Sequence, residues 1–246
     1  VGIKMEYNKT QLHPEKEFER HVFHRDQFAH YLRWTHVLKI AKIGMNILDF
    51  GCGNANLLEL LYRNRYRPKS YLGLDIRNRT IEQNKQNFKL DFVKFRCLDL
   101  CGDVNVGDDW DIIVCFEVIE HIGKKNAEVF LKNIQKSMND KTLLLLSTPN
   151  YNIRVGAAQN HIINSEIGEF EYNELKTLLE KYFIIDDVFG TMASQIDYKS
   201  KMNEWQIKMF DHLTKYYDSN LVSNIMAPFF PVESRNCLWR CRCKTL

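Results

Sequence analysis

Apolar and polar positions alternate along the chain in blocks of two periods. Phe18 to Ile43 repeats apolar and aromatic residues near helical spacing, through Val22, Phe28, Leu32 and Val37, and Gly44 ends the block. Met45 to Phe50 is a short apolar strand running into Gly51, and Leu57 to Tyr62 begins a helix. The same pairing recurs. Strands are predicted at Ser70 to Asp75, Phe92 to Cys97, Asp111 to Phe116, Thr142 to Ser147 and Phe183 to Val188. Helices are predicted at Thr80 to Phe88, Lys125 to Met138 and Tyr172 to Tyr182, the last with Leu175, Leu178 and Leu179 on one face. A longer helix from Lys199 to Tyr217 and a final strand from Asn236 to Cys243 complete the pattern. Strands alternating with helices imply βαβ units, and strands without polar alternation imply a sheet covered on both faces. The fold class is α/β, Rossmann-like. Thr148 to Glu171 has little periodic character, and a connection that long is usually either mobile or functional.

Length and composition narrow this reading little. The 246 residues, 45% of them hydrophobic, fit one α/β domain. It divides into an N-terminal helical cap (1–44), a core (45–190), a helical insertion (191–233) and a final strand (234–246). The net charge of +3 is compatible with nucleic acid but does not demand it. No stretch approaches the roughly 20 apolar residues of a membrane span, and no secretory leader opens the chain. Seven scattered cysteines do not read as a disulfide framework, and the spacing of Cys237, Cys241 and Cys243 matches no common zinc pattern. The expected setting is reducing and cytoplasmic.

The candidate chemistry begins at Asp49-Phe50-Gly51-Cys52-Gly53-Asn54, between a strand and a helix. Glycines there let the backbone turn tightly and approach a ligand. Asp75 closes the next strand, 22 residues after Gly53, where an acid binds ribose hydroxyls in doubly wound folds. Asp99, after the third strand, is placed to accept from an adenine amino group. A dinucleotide loop needs a third glycine where this chain has Asn56, and Asp49 suits a cationic ligand better than a phosphate.

Asp49 to Asn54, Asp75, Asp99 and Phe116-Glu117-Val118-Ile119-Glu120-His121 together resemble the successive motifs of class I S-adenosylmethionine-dependent methyltransferases. The resemblance covers roughly residues 40–190. It implies a seven-stranded sheet of order 3-2-1-4-5-7-6 with the last strand antiparallel. It also implies that S-adenosyl-L-methionine is held by Asp49, Gly51, Cys52, Gly53, Asn54, Asp75, Ile76, Asp99, Leu100 and Phe116. Ala55 stands where many members carry another glycine.

The Glu117 to His121 segment is similar to two metal-using groups, the small-RNA 2′-O-methyltransferases and the ubiquinone-pathway O-methyltransferases. That similarity implies Glu117, Glu120 and His121 as ligands of Mg²⁺ or Mn²⁺, with His161 as a fourth. Metal-free relatives carry a similar stretch, so a structural reading of the same residues stays open. The small-RNA enzymes carry a His before Phe-Glu-Trp, and here Gly168-Glu169 precede Phe170-Glu171-Tyr172. His161 and Glu117 are the general-base candidates.

The expected reaction is methyl transfer to an oxygen or nitrogen nucleophile. The acceptor is a nucleic acid, such as an RNA ribose 2′-hydroxyl, or a small molecule of a biosynthetic pathway. A catalytically silent cofactor-binding module is the competing reading. Five of the eight histidines lie in residues 13–36 among Arg20, Arg25, Arg33 and Trp34, on a helix expected to cap the acceptor site. The insertion's aromatics, Trp205, Tyr216, Tyr217, Phe229 and Phe230, are expected to be core, and Arg235 to reach the acceptor pocket. The oligomeric state is not readable from the chain.

Overall fold

The computed structural model describes residues 26–151 and 168–244. Seven strands form one sheet of order β3-β2-β1-β4-β5-β7-β6: β1 (Asn46–Phe50), β2 (Ser70–Asp75), β3 (Val93–Cys97), β4 (Ile112–Phe116), β5 (Leu143–Pro149), β6 (Phe183–Met192) and β7 (Asn236–Cys243). The pairs from β3 to β5 are parallel, and β7 runs antiparallel to both β5 and β6. Order and direction are those the resemblance implies. Asn236, the first residue of β7, therefore lies beside Pro149 and Met192, at the end where the parallel strands finish.

Helices cover both faces, because successive strand side chains point opposite ways. Ile47 belongs to a core shared with α1 (Asp26–Ile40), α2 (Asn56–Arg63) and α3 (Asn78–Asn87), through Val37, Leu58, Leu61 and Ile81. Leu48 and Phe50 belong to the opposite core, with Phe130, Leu131 and Ile134 of α5 (Lys124–Lys136) and Leu175 and Leu179 of α6 (Tyr172–Glu180). Each fully buried leucine contributes about 1.5–3 kcal/mol. A single turn, α4 (Ile119–Ile122), follows β4. The edge strand β3 carries exposed Lys94 and Arg96, which discourage pairing with another sheet.

Two expectations are corrected. Of the predicted helix from Lys199 to Tyr217, only α8 (Glu204–Leu213) is α-helical; a 3₁₀ turn precedes it, and α7 (Gln195–Tyr198) and α9 (Ser219–Met226) flank it as separate helices. Polar residues start each of the three: Ser194 and Asn203 form capping boxes, and the Asp218 side chain accepts from the Asn220 N–H. The insertion has its own small core of Tyr198, Phe210, Val222, Met226 and Phe230, with Tyr198 and Phe230 stacked at 4.5 Å. Trp205, Tyr216, Tyr217 and Phe229 are exposed rather than core.

Candidate functional site

The loop after β1 is built around left-handed backbone. Gly51 and Gly53 have φ of 86° and 51°. A Cβ on Gly51 would collide with Val118, just after β4, so glycine allows the two loops to touch. Ala55 is also left-handed, at φ 58°, which gives a physical reason for glycine at this position elsewhere. Gly73 of β2 leaves room for Cys52 and Phe95, seating the loop on the sheet.

Asp75 is locked to this loop. Its Oδ2 accepts from the Gly53 N–H at 3.0 Å and its Oδ1 from the Arg77 N–H at 2.9 Å. The Arg77 side chain adds bonds at 3.0 and 3.2 Å. Burial would raise the Asp75 pKa, but Arg77 and the Gly53 N–H hold it below the usual carboxylate range. Asp49 lies beneath, buried, and receives the Tyr71 hydroxyl at 2.5 Å. Burial, partly offset by Tyr71, pushes the Asp49 pKa up to about 7. Ile76 and Asp99 are exposed at the strand ends, Asn54 is exposed in the loop, and Leu100 is buried below. Asp99 caps its own turn by accepting from the Cys101 N–H at 2.9 Å. Phe116 is half-buried at the end of β4.

A second polar cluster sits where β4, β5 and β7 meet. Glu117 follows β4 in the left-handed region, at φ 57°, an uncommon setting for a residue with a side chain. Its Oε1 accepts from Ser147 at 2.8 Å and pairs with Arg33 Nη1 at 2.7 Å; its Oε2 accepts from Asn236 at 2.9 Å. Asn236 accepts in turn from Thr191 at 2.7 Å. Arg33 is 2% exposed, with Nη2 2.6 Å from His30 Nδ1. Glu120 is buried and accepts from Thr148 at 3.0 Å; burial, then the nearby Glu117 charge, raise its pKa.

Among the described residues, the implied metal ligands Glu117, Glu120 and His121 are not gathered into one group. Glu120 points inward while His121, next along the same turn, is exposed. Among the described residues no group of three or more His, Cys, Asp or Glu is arranged to hold a metal ion. His161 lies outside the described residues. Arg235 does not serve the pocket: it is clamped to Asp197 of the insertion, with Nε 2.9 Å from Oδ2.

Sequence reasoning missed two asparagines that hold the loops after β1 and β3. Buried Asn84 of α3 donates to the Gly53 carbonyl at 2.7 Å, and buried Asn133 of α5 donates to the carbonyls of Leu100 and Gly102 at 3.0 and 2.8 Å. The available signal was an amide on the inward face of an amphipathic helix. The unpatterned connection after β5 also has fixed ends: Asn150 bridges to Phe170, and the Tyr151 N–H donates to the Phe170 carbonyl at 2.9 Å.

Residues 23–221 match the family described as a methyltransferase domain. A small RNA 2′-O-methyltransferase of Arabidopsis thaliana is 27% identical over 66% of this chain and 17% of its own. A ubiquinone biosynthesis O-methyltransferase of Rickettsia typhi is 24% identical over 55% of this chain and 54% of its own. The chain thus spans about half or less of the length of these two relatives. Among solved structures, N-methyltransferase NodS of Bradyrhizobium japonicum, in complex with S-adenosyl-l-homocysteine, superposes with a TM-score of 0.57 at 14% identity. That match covers 88% of both chains. At that identity the likeness concerns the fold.

Proposed function

Because the chain belongs to the methyltransferase-domain family, we propose that it transfers a methyl group from S-adenosyl-L-methionine to an oxygen or nitrogen nucleophile. The observation that carries this reading is the unit formed by Asp75 and the glycine loop. The Gly53 N–H holds the acid at the strand ends, where an open α/β sheet binds its ligand. A nucleoside diol needs an ionised acceptor pair there, and Asp75 is kept ionised. Bound S-adenosylmethionine supplies an electrophilic methyl group. The chain's own task is alignment and exclusion of water.

Glu117 has its oxygens engaged by Arg33, Ser147 and Asn236, so it positions rather than accepts a proton, and His161 is the remaining base candidate. The two curated relatives are named for O-methylation, which favours an oxygen acceptor, either an RNA ribose 2′-hydroxyl or a small-molecule hydroxyl.

Calorimetric titration with S-adenosylmethionine and S-adenosylhomocysteine tests the donor. We expect both to bind and Asp75→Ala to weaken each at least about tenfold, the equivalent of roughly 1.4 kcal/mol. No binding of either compound by the native chain would end the proposal. Incubation with tritiated donor and host extract, separated into nucleic-acid and small-molecule pools, then distinguishes the acceptors. Binding without label transfer to any pool would point to a silent module.

A further inference from the structure

We propose that Arg33 is the resident cation of the acceptor pocket, holding Glu117 in the place a divalent ion would take, so that this site works without a metal at Glu117. The term acceptor pocket rests on the methyl-transfer reading; the placement of the cation does not.

The donor atoms make the case. A carboxylate that ligates a metal must turn a free oxygen toward it. Glu117 Oε1 already meets the Arg33 guanidinium at 2.7 Å and the Ser147 hydroxyl at 2.8 Å, and Oε2 meets the Asn236 amide at 2.9 Å. All three groups donate to the carboxylate, and the guanidinium has no lone pair to offer a cation. The Arg33 Nη1 also lies 3.5 Å from the Asn236 carbonyl oxygen, so cation and amide bracket the same carboxylate. Of the other implied ligands among the described residues, Glu120 accepts from Thr148 within the core and His121 is exposed.

Arg33 cannot easily leave. Its side chain is 2% exposed and its buried Nε–H has no partner among the described residues, so Glu117 supplies the neutralising charge for a guanidinium already out of water. Buried charges persist only when paired in this way. A divalent ion on the same oxygens would stand against a fixed positive charge. The residue is carried by α1, in the cap, while Glu117, Ser147 and Asn236 close β4 and β5 and open β7. The ion pair therefore ties the cap to the strand ends and orients the carboxylate in its left-handed turn. Arg33 is a positioning residue acting through Glu117.

The test uses the full chain, stripped with chelator and titrated with Mn²⁺ alone, followed by electron paramagnetic resonance. The native protein is expected to show no stoichiometric site. Arg33→Met, which leaves two carboxylates without the guanidinium, is expected to gain Mn²⁺ affinity at least tenfold. Arg33→Lys, which restores a cation, is expected to behave as native. One tightly bound Mn²⁺ in the native chain, lost in Glu117→Gln, overturns the proposal. Equal Mn²⁺ binding by the two Arg33 variants, or none gained by Arg33→Met, also overturns it. Should either variant fail to fold, ¹⁵N resonances of the native Arg33 guanidinium serve instead: unchanged by stoichiometric Mn²⁺ they support the proposal, and broadened by it they refute it. These measurements need neither methyl donor nor acceptor. Their failure leaves the methyl-transfer reading standing, and failure of cofactor binding leaves the cation assignment standing.

Discussion

Both oxygens of Asp75 are crowded. Each accepts two hydrogen bonds, three of the four from Arg77 and one from Gly53. A carboxylate has about four lone-pair sites, so a ribose diol must displace existing donors. The backbone N–H groups are fixed by the loop, while the Arg77 side chain is long and 61% exposed. It is the group that yields. An exposed ion pair of this kind is worth about 0.2–1 kcal/mol. Arg77→Ala should therefore tighten S-adenosylmethionine binding by up to about fivefold, read by calorimetry. A loss of affinity would show that Arg77 contacts the donor rather than competing with it.

At the scale of elements, the contact between insertion and sheet turns on Gly190. A Cβ there would meet the Ser234 hydroxyl and the Ala227 backbone carbonyl, and the carbonyl cannot swing aside. Gly190→Ala should cost about 3 kcal/mol in urea unfolding. In the insertion itself, Phe230→Ala removes half of the stacked pair with Tyr198 and should cost about 3–5 kcal/mol. Trp205→Ala, on an exposed face, should stay within about 0.5 kcal/mol. A large loss at Trp205 would mean that its ring is covered in solution.

These elements also show what the sequence can disclose. Buried parallel strands are continuous apolar runs, so β1, β2, β4 and β5 are readable within a residue or two. The shorter helix after Met192 was not, because Asn203 fits a helical polar face as well as it caps a new helix. The site divides in the same way. Asp75 is recognisable from its place at a strand end. Arg33 is visible only as one basic residue among aromatic neighbours, since its partner Glu117 is brought to it by the sheet rather than by spacing. Adjacency along the chain does not place Glu120 and His121 on one side of a turn, since Glu120 is buried and His121 exposed.

For the whole molecule, the buried acids govern how stability varies with pH. Asp49 has a folded pKa of about 7 against 3.8 for the free side chain, and burial raises Glu120 in the same sense. Between those limits the folded state binds more protons than the unfolded state. Stability is therefore highest at the acidic side of the window and falls as pH rises toward 7. His36 acts oppositely. Burial lowers its pKa, so stability is lost as pH falls below about 6.5, and the raw profile mixes the two signs. Comparing two proteins separates them. Asp49→Asn keeps an acceptor for the Tyr71 hydroxyl but cannot ionise, while His36 and Glu120 are common to both proteins. Between pH 5 and 6.5 the variant should gain on the native chain by about 1.4 kcal/mol per pH unit, measured by urea unfolding at several pH values. Parallel curves would mean that Asp49 is already ionised in the folded protein. The carboxylate beneath the glycine loop would then be available, as its place in the motif first suggests, to a cationic ligand.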